Sequence, residues 1–178
     1  MKYHCRGLTA LELLITLSLV TILMLAGFPG FREYRLNQQL KSALATLHSD
    51  LKLARNEGIS MNAWTIVCPG NKVDACKNHS DWSQGWIVFA DLNGDRNWQH
   101  TEPLIRQANP LENISALSPA SRPQIRFFPG GTAPGSNASI VFCDQRGFES
   151  GQKIVISNSG RIRQSELSAS DEARCPAT

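Results

Sequence analysis

No two cysteines of this chain show the close CxxC spacing of a zinc or redox site, and no histidine lies at ligand spacing from a cysteine. His48, His79 and His100 are scattered, and none has a nucleophile at motif spacing. No catalytic residue, cofactor or resident metal is therefore expected. Charge of either sign is scarce as a net quantity, at only +3 over the chain. A role that depends on charge must then rest on a local patch rather than on bulk attraction. Aromatic residues are also few, at 7 %, against 13 glycines and 9 prolines. That balance excludes a helical bundle beyond the N-terminal third and points to a turn-rich β domain. At 178 residues, the chain has room for one domain with a respectable core and an appendage.

The appendage is at the N-terminus. From Leu13 to Phe31 the chain is almost entirely apolar, broken by Thr16, Ser18, Thr21 and two glycines around Pro29. Counted from Leu8, the run is long enough to span a hydrocarbon layer of about 30 Å as a helix. Lys2 and Arg6 precede it, and Arg32 and Arg35 follow. A secretory signal would be shorter and would close on small residues, but no A-x-A pattern ends this run. Glu12 is the anomaly, because a carboxylate at the edge of an apolar span is costly and implies a partner charge.

Gly7-Leu8-Thr9-Ala10-Leu11-Glu12 resembles the processing site of type IV prepilins. The resemblance implies that a membrane prepilin peptidase cuts between Gly7 and Leu8 and methylates the new N-terminal amine on Leu8. It also implies that Glu12 neutralises the amine of a neighbouring subunit during filament assembly. Leu8 stands where the family usually has phenylalanine. Removing the leader, residues 1–7, takes away Lys2 and Arg6 and leaves 16 basic against 15 acidic residues.

Residues 8–31 are then read as the transmembrane and assembly half of a long helix, and 32–62 as its amphipathic half. Pro29 should kink or locally melt the helix. Beyond it Leu36, Leu40, Leu44, Leu47, Leu51 and Ala54 recur at spacings of three and four, one stripe facing a globular domain. Lys41, Lys52 and Arg55 fall off the stripe as a solvated face, and Gly58 and Asn62 mark the helix end.

Residues 63–178 read as the globular antiparallel β domain. Strands are predicted at 63–68, 85–90, 124–128, 139–143 and 153–157, with loops at 109–123 and 129–137. Cys5 falls in the leader, so Cys68, Cys76, Cys143 and Cys175 remain, allowing three pairings. Cys68 with Cys76, closing a short loop, and Cys143 with Cys175, tethering the C-terminal tail, are favoured over zinc in an exported protein. Asp91, Asn93, Asp95, Asn97, Gln99 and Glu102 have the spacing of a twelve-residue calcium loop. Arg96, however, stands where such loops need glycine, so a structural Asx-rich turn is the favoured reading.

Several segments resemble the GspH/FimT branch of pilin-like proteins. They are Leu53-Ala54-Arg55-Asn56-Glu57-Gly58-Ile59, Gly85-Trp86-Ile87-Val88-Phe89-Ala90-Asp91-Leu92-Asn93-Gly94-Asp95 with Glu102-Pro103-Leu104-Ile105-Arg106, and Ile154 through Arg163. The resemblance spans nearly the whole chain. It implies an α+β, type IV pilin-like fold, a long N-terminal helix on an antiparallel sheet, in a single-pass inner-membrane protein with a periplasmic domain that later enters an extracellular pilus.

The hairpin around Asn158-Ser159-Gly160 carries the sharper functional expectation. Alternation places Arg161 and Arg163 on one face, roughly 6.5–7 Å apart, with Ile162 facing inward. Guanidinium groups so spaced can meet neighbouring phosphates of one strand. Arg146, Lys153, Arg161 and Arg163 stand against Glu149 alone between 146 and 163, a local excess of positive charge. Gly160-Arg161-Ile162-Arg163 also resembles the GRxR element of the DNA-binding FimT members of the branch. That resemblance implies phosphate-directed DNA binding in natural transformation, with pilins as the other partners. The bare residues equally fit a strand edge protected by charge. The same branch also holds FimU-like priming pilins and type II secretion pseudopilins, which need no DNA.

Overall fold

A computed structural model describes residues 9–71, 76 and 79–175, and for 25–29 the backbone only. The cleavage pair Gly7 and Leu8 lies outside the described residues. The chain divides into two compact units, Met1–Gln39 and Leu40–Thr178.

One helix, α1, runs from Ala10 to Met61 and crosses the boundary between the units. At its start Thr9 acts as cap: its hydroxyl accepts the Glu12 N–H at 3.2 Å, and its carbonyl accepts the Leu13 N–H at the same distance. The expected melting at Pro29 is not seen; the backbone stays helical through that turn, where a missing donor costs only one bond of the ladder. Large apolar side chains between Leu11 and Met24 are exposed. Among the described residues, no helix is long and apolar enough to cross a membrane.

The helix ends as its sequence suggests. Asn62 takes a left-handed φ of 49°. Ala63 N–H bonds the Gly58 carbonyl at 3.1 Å and Asn62 N–H that of Ile59 at 3.3 Å. This double bond pattern satisfies carbonyls that the helix itself leaves open.

Among the described residues the second unit holds eight strands in two antiparallel sheets, as the expected antiparallel β domain requires. The strands are β1 (Trp64–Pro69), β2 (Trp86–Asp91), β3 (Leu104–Gln107), β4 (Ile114–Leu117), β5 (Ile125–Phe127), β6 (Ala138–Asp144), β7 (Gln152–Ile156) and β8 (Ile162–Glu166). Their orders are β3-β2-β1-β5 and β4-β6-β7-β8. β4 lies inside the stretch 109–123 expected to be a loop. Four residues between Asn113 and Ser118 are too few to carry a period, and the strand exists because it pairs with β6 from Ile114↔Asp144 to Leu117↔Val141.

Alternation along the strands sorts side chains between three clusters. Val67 and Val88 join Leu40, Leu44, Leu47, Leu51, Ile140 and Phe142 in the main core. Ile66, Cys68, Ile87 and Phe89 point to the other face of the first sheet, where Cys76 covers them. Val141 and Cys143 do the same on the second sheet beneath Cys175 and Leu167. Cys68 bonds Cys76, and Cys143 bonds Cys175. Each disulfide thus closes an outer face that neither sheet can bury alone.

The predicted helix stripe is buried, Leu47, Leu51 and Ala54 completely. Asp50, also on that side, is 3 % exposed. It is tolerated because its carboxylate accepts the Trp86 indole N–H at 2.9 Å and faces Arg106 Nε at 3.5 Å.

Candidate functional site

The hairpin between β7 and β8 is a three-residue loop. Gly160 N–H bonds the Ser157 carbonyl at 2.9 Å, and Ser157 N–H bonds that of Arg161 at 3.0 Å. Gly160 sits at φ 77°, the left-handed position that such a loop requires. A side chain there has no space either: a Cβ would lie 2.0 Å from the Gly131 carbonyl oxygen and 3.3 Å from Arg55 Nε.

Neighbouring chain holds this turn from outside. Arg55 Nε donates to the Gly131 carbonyl at 2.8 Å. Ala133 N–H bonds the Asn158 carbonyl at 2.9 Å, and Gly135 N–H bonds Asn158 Oδ1 at 3.2 Å. Arg55 is therefore half-buried at this contact, where its place off the helical stripe suggested a solvated cation. A period of 3.6 reports which side chains face the core, but not which surface residues another loop will meet.

Arg161 and Arg163 are exposed, and Ile162 between them packs against the main core. Arg161 immediately precedes β8, and Arg163 lies opposite Val155. β8 is the edge strand of its sheet. Among the described residues no carboxylate reaches ion-pair distance of either guanidinium.

Arg146 and Lys153 are placed differently. Arg146 grips Asp144, Nη2 to Oδ2 at 2.6 Å and Nε to Oδ1 at 3.1 Å. Burial pushes the Asp144 carboxyl upward, but hydrogen bonds from the Arg146 side chain and backbone outweigh it and hold it below its ordinary value. Lys153 Nζ lies 2.5 Å from Asp171 Oδ2 and donates to Ser168 Oγ at 3.0 Å. Arg174 binds the other oxygen of Asp171. The positive excess counted between 146 and 163 thus shrinks in space, because Asp144 and Asp171 lie outside that window. Arg161 and Arg163 are what remains of it.

The Asx-rich loop between β2 and β3 uses its acids on its own backbone. Asp91 accepts the Gly94 N–H at 2.8 Å and the Arg96 N–H at 3.3 Å. Glu102, 6 % exposed, accepts those of Leu92 and Gln99 at 3.0 and 3.1 Å. Arg96 adopts φ 69°, the conformation that glycine would take at that position. Among the described residues no group of three His, Cys, Asp or Glu could hold a metal ion.

Glu12 is exposed at the third position of α1, where an acid also favours the positive end of the helix dipole. That local role requires no partner and stands beside the assembly role the resemblance implies.

Comparison with known proteins adds a fold and a family. The chain is similar to the Pseudomonas aeruginosa (strain PAO1) type IV minor pilin FimU in two crystal forms. In the P21 form the TM-score is 0.60 at 19 % identity, covering 80 % of this chain and 96 % of FimU. In the P65 form it is 0.57 at 20 %, covering 77 % and 97 %. No curated protein sequence matches significantly. The family described as "Type II transport protein GspH" matches residues 43–160, which take in the end of α1 from Ala43, every strand through β7 and the Gly160 turn. With well over half of its length matched and the helix-on-antiparallel-sheet architecture present, the chain belongs to the GspH family of pilin-like proteins.

Proposed function

We propose that this pilin-like protein is a minor pilin of a type IV pilus that binds extracellular DNA, without sequence preference, for uptake in natural transformation. The observation that carries the reading is the pairing state of its cations. Arg161 and Arg163 are exposed and lack an acidic partner among the described residues, on a turn held by Gly160, Gly131 and Arg55. A held turn presents both guanidinium groups from a fixed backbone, which lowers part of the ordering cost of meeting phosphate. Arg146 and Lys153 take the lesser part, since each already meets a carboxylate.

In this reading prepilin peptidase cuts between Gly7 and Leu8, and Leu8 is N-methylated. The 8–31 segment holds the subunit in the inner membrane with domain 63–178 in the periplasm. Glu12 then meets the N-terminal amine of a neighbouring pilin, and the exposed apolar side chains from Leu11 to Met24 are covered by other pilins as the filament forms. Its work is structural and binding, not enzymatic.

The test is a gel shift with full-length protein in neutral detergent at two salt concentrations. Replacing both Arg161 and Arg163 by Gln should abolish retardation while leaving the melting temperature nearly unchanged. Retardation of the parent should weaken steeply between the two salt concentrations. Unaltered retardation would sink the proposal.

A second reading is supported by the FimU likeness: a priming minor pilin, or a type II secretion pseudopilin, that binds no DNA. Arg161 and Arg163 would then keep an edge strand from pairing with another chain. Under this reading the double variant aggregates, and the parent retards no DNA.

A further inference from the structure

A second group of cations lies beside the 129–137 loop, which also contacts the Arg161 hairpin. A cavity of about 290 Å³ is lined by Arg96 of the β2–β3 loop, Arg122 and Gln124 before β5, Arg126 within β5, and Gly135 and Ser136. Its volume equals roughly ten waters at about 30 Å³ each, enough for an anionic group with part of its carrier.

The charges around it are unbalanced. Arg146, Lys153 and Arg174 each meet a carboxylate, and so does Arg106. Among the described residues no carboxylate reaches ion-pair distance of Arg96, Arg122 or Arg126. Burial and then the charge of Arg96 press the Arg126 guanidinium below its ordinary pKa, and the charge of Asp91 opposes them. Asp91 is already engaged with the N–H groups of Gly94 and Arg96.

Donors on the pocket wall are unpartnered, and so is one acceptor there, Gln124 Oε1. Arg122 Nε is buried without a hydrogen-bond partner, although Nη1 of the same group reaches the Ser121 carbonyl at 2.8 Å. A buried donor left in this way costs more than a bond gains, unless something completes it. Arg126 is held in place: its Cζ lies 5.5 Å over the Trp64 ring, and its N–H and carbonyl both bond Ser136 Oγ, at 3.0 and 3.3 Å. Its own guanidinium hydrogens have no partner among the described residues.

We propose that Arg96, Arg122 and Arg126 form a pocket for a phosphate group. Forks from two segments, Arg96 of the β2–β3 loop and Arg122 with Arg126 at the entry to β5, suit a tetrahedral anion that accepts from several directions, whereas a planar carboxylate is satisfied by one. The phosphate is that of a phosphodiester or of a free polyphosphate. Gly135, which lines the pocket, also donates to Asn158 of the Arg161 hairpin, so one loop serves both groups of arginines. The phosphodiester source rests on the DNA-binding reading given above; the pocket itself does not.

Full-length protein in neutral detergent is titrated with inorganic pyrophosphate by calorimetry, and with a fluorescein-labelled 20-nucleotide DNA by anisotropy. The parent is compared with Arg96→Gln/Arg122→Gln and with Arg161→Gln/Arg163→Gln. The pocket variant should lose at least tenfold in pyrophosphate affinity, and the hairpin variant should lose none. Pyrophosphate binding with no DNA binding by the parent supports the pocket and removes the DNA reading. A tenfold loss of DNA affinity in the pocket variant, without pyrophosphate binding by the parent, assigns the phosphodiester. Should the double variant unfold, Arg96→Gly alone should still weaken whichever probe binds by at least threefold. Equal binding by parent and pocket variant, or binding of neither probe by the parent, overturns the proposal.

Discussion

Lys153 and Asp171, eighteen positions apart, join β7 to the C-terminal tail through a contact of 2.5 Å between ammonium and carboxylate. Asp171 caps its own short helix as well, accepting the Ser168 N–H at 2.9 Å and hydroxyl at 2.6 Å. Burial raises its carboxyl pKa, but the bonds from Lys153 and Ser168 more than reverse this and leave it well below the usual carboxylate range.

A pH dependence follows from that shift. A carboxylate with a depressed folded pKa contributes stability that is fully present above its unfolded value of about 3.9 and is lost as pH falls toward the folded one. The melting temperature should therefore drop on acidification below about pH 4, and by less in Asp171→Asn. At neutral pH the same variant should be less stable than the parent by about 1–3 kcal/mol, because Lys153 loses its partner. Thermal melts of both proteins between pH 3 and 7 check this; parallel curves would refute it.

Gly160→Ala should destabilise the second unit by at least about 1–3 kcal/mol. The new methyl meets both the left-handed φ of 77° and the Gly131 carbonyl oxygen. DNA retardation should weaken with it, since the turn carries Arg161. A melting temperature equal to the parent's would show that the Gly131 loop yields freely.

Arg96→Gly should act in the opposite sense on stability. Glycine adopts φ 69° without strain, so the variant should gain up to about 1 kcal/mol in a denaturant titration. Its affinity for pyrophosphate should fall in the same preparation. A loss of stability would mean that the Arg96 side chain makes a contact worth more than its backbone strain.

The two disulfides should differ in worth. Chain-entropy arguments give about 3.5 kcal/mol for Cys143–Cys175 and about 2.5 kcal/mol for Cys68–Cys76, since they separate 32 and 8 positions. Replacing Cys143 and Cys175 by Ser should lower the melting temperature more than replacing the other pair. The reverse order would place the second cluster, around Ile66 and Phe89, above the tail in importance.

Local rules accounted for much of the architecture. The helical stripe, the Asn62 helix end and the turn at Gly160 each depend on a few adjacent residues, and each stands where expected. β4 did not announce itself, because a four-residue strand is defined by the strand it pairs with. Arg55 read as a surface cation until the 129–137 loop came to rest on it. The neutralisation of Arg146 and Lys153 was equally hidden. Asp144 stands just outside the counted window, and Asp171 is far beyond it.

The amino-acid sequence by itself determined the long helix with its apolar start, the β character of the rest and the turn that presents Arg161 and Arg163. These follow from periodicity, local sterics and short-range spacing, which any stretch of chain carries with it. Tertiary structure alone decided that the strands divide into two sheets and which cations keep their charge unpaired. It also decided that Arg96, Arg122 and Arg126 share one cavity. Ion pairing and cavity lining depend on distances of a few ångströms between segments tens of residues apart, and those distances exist only once the core has closed.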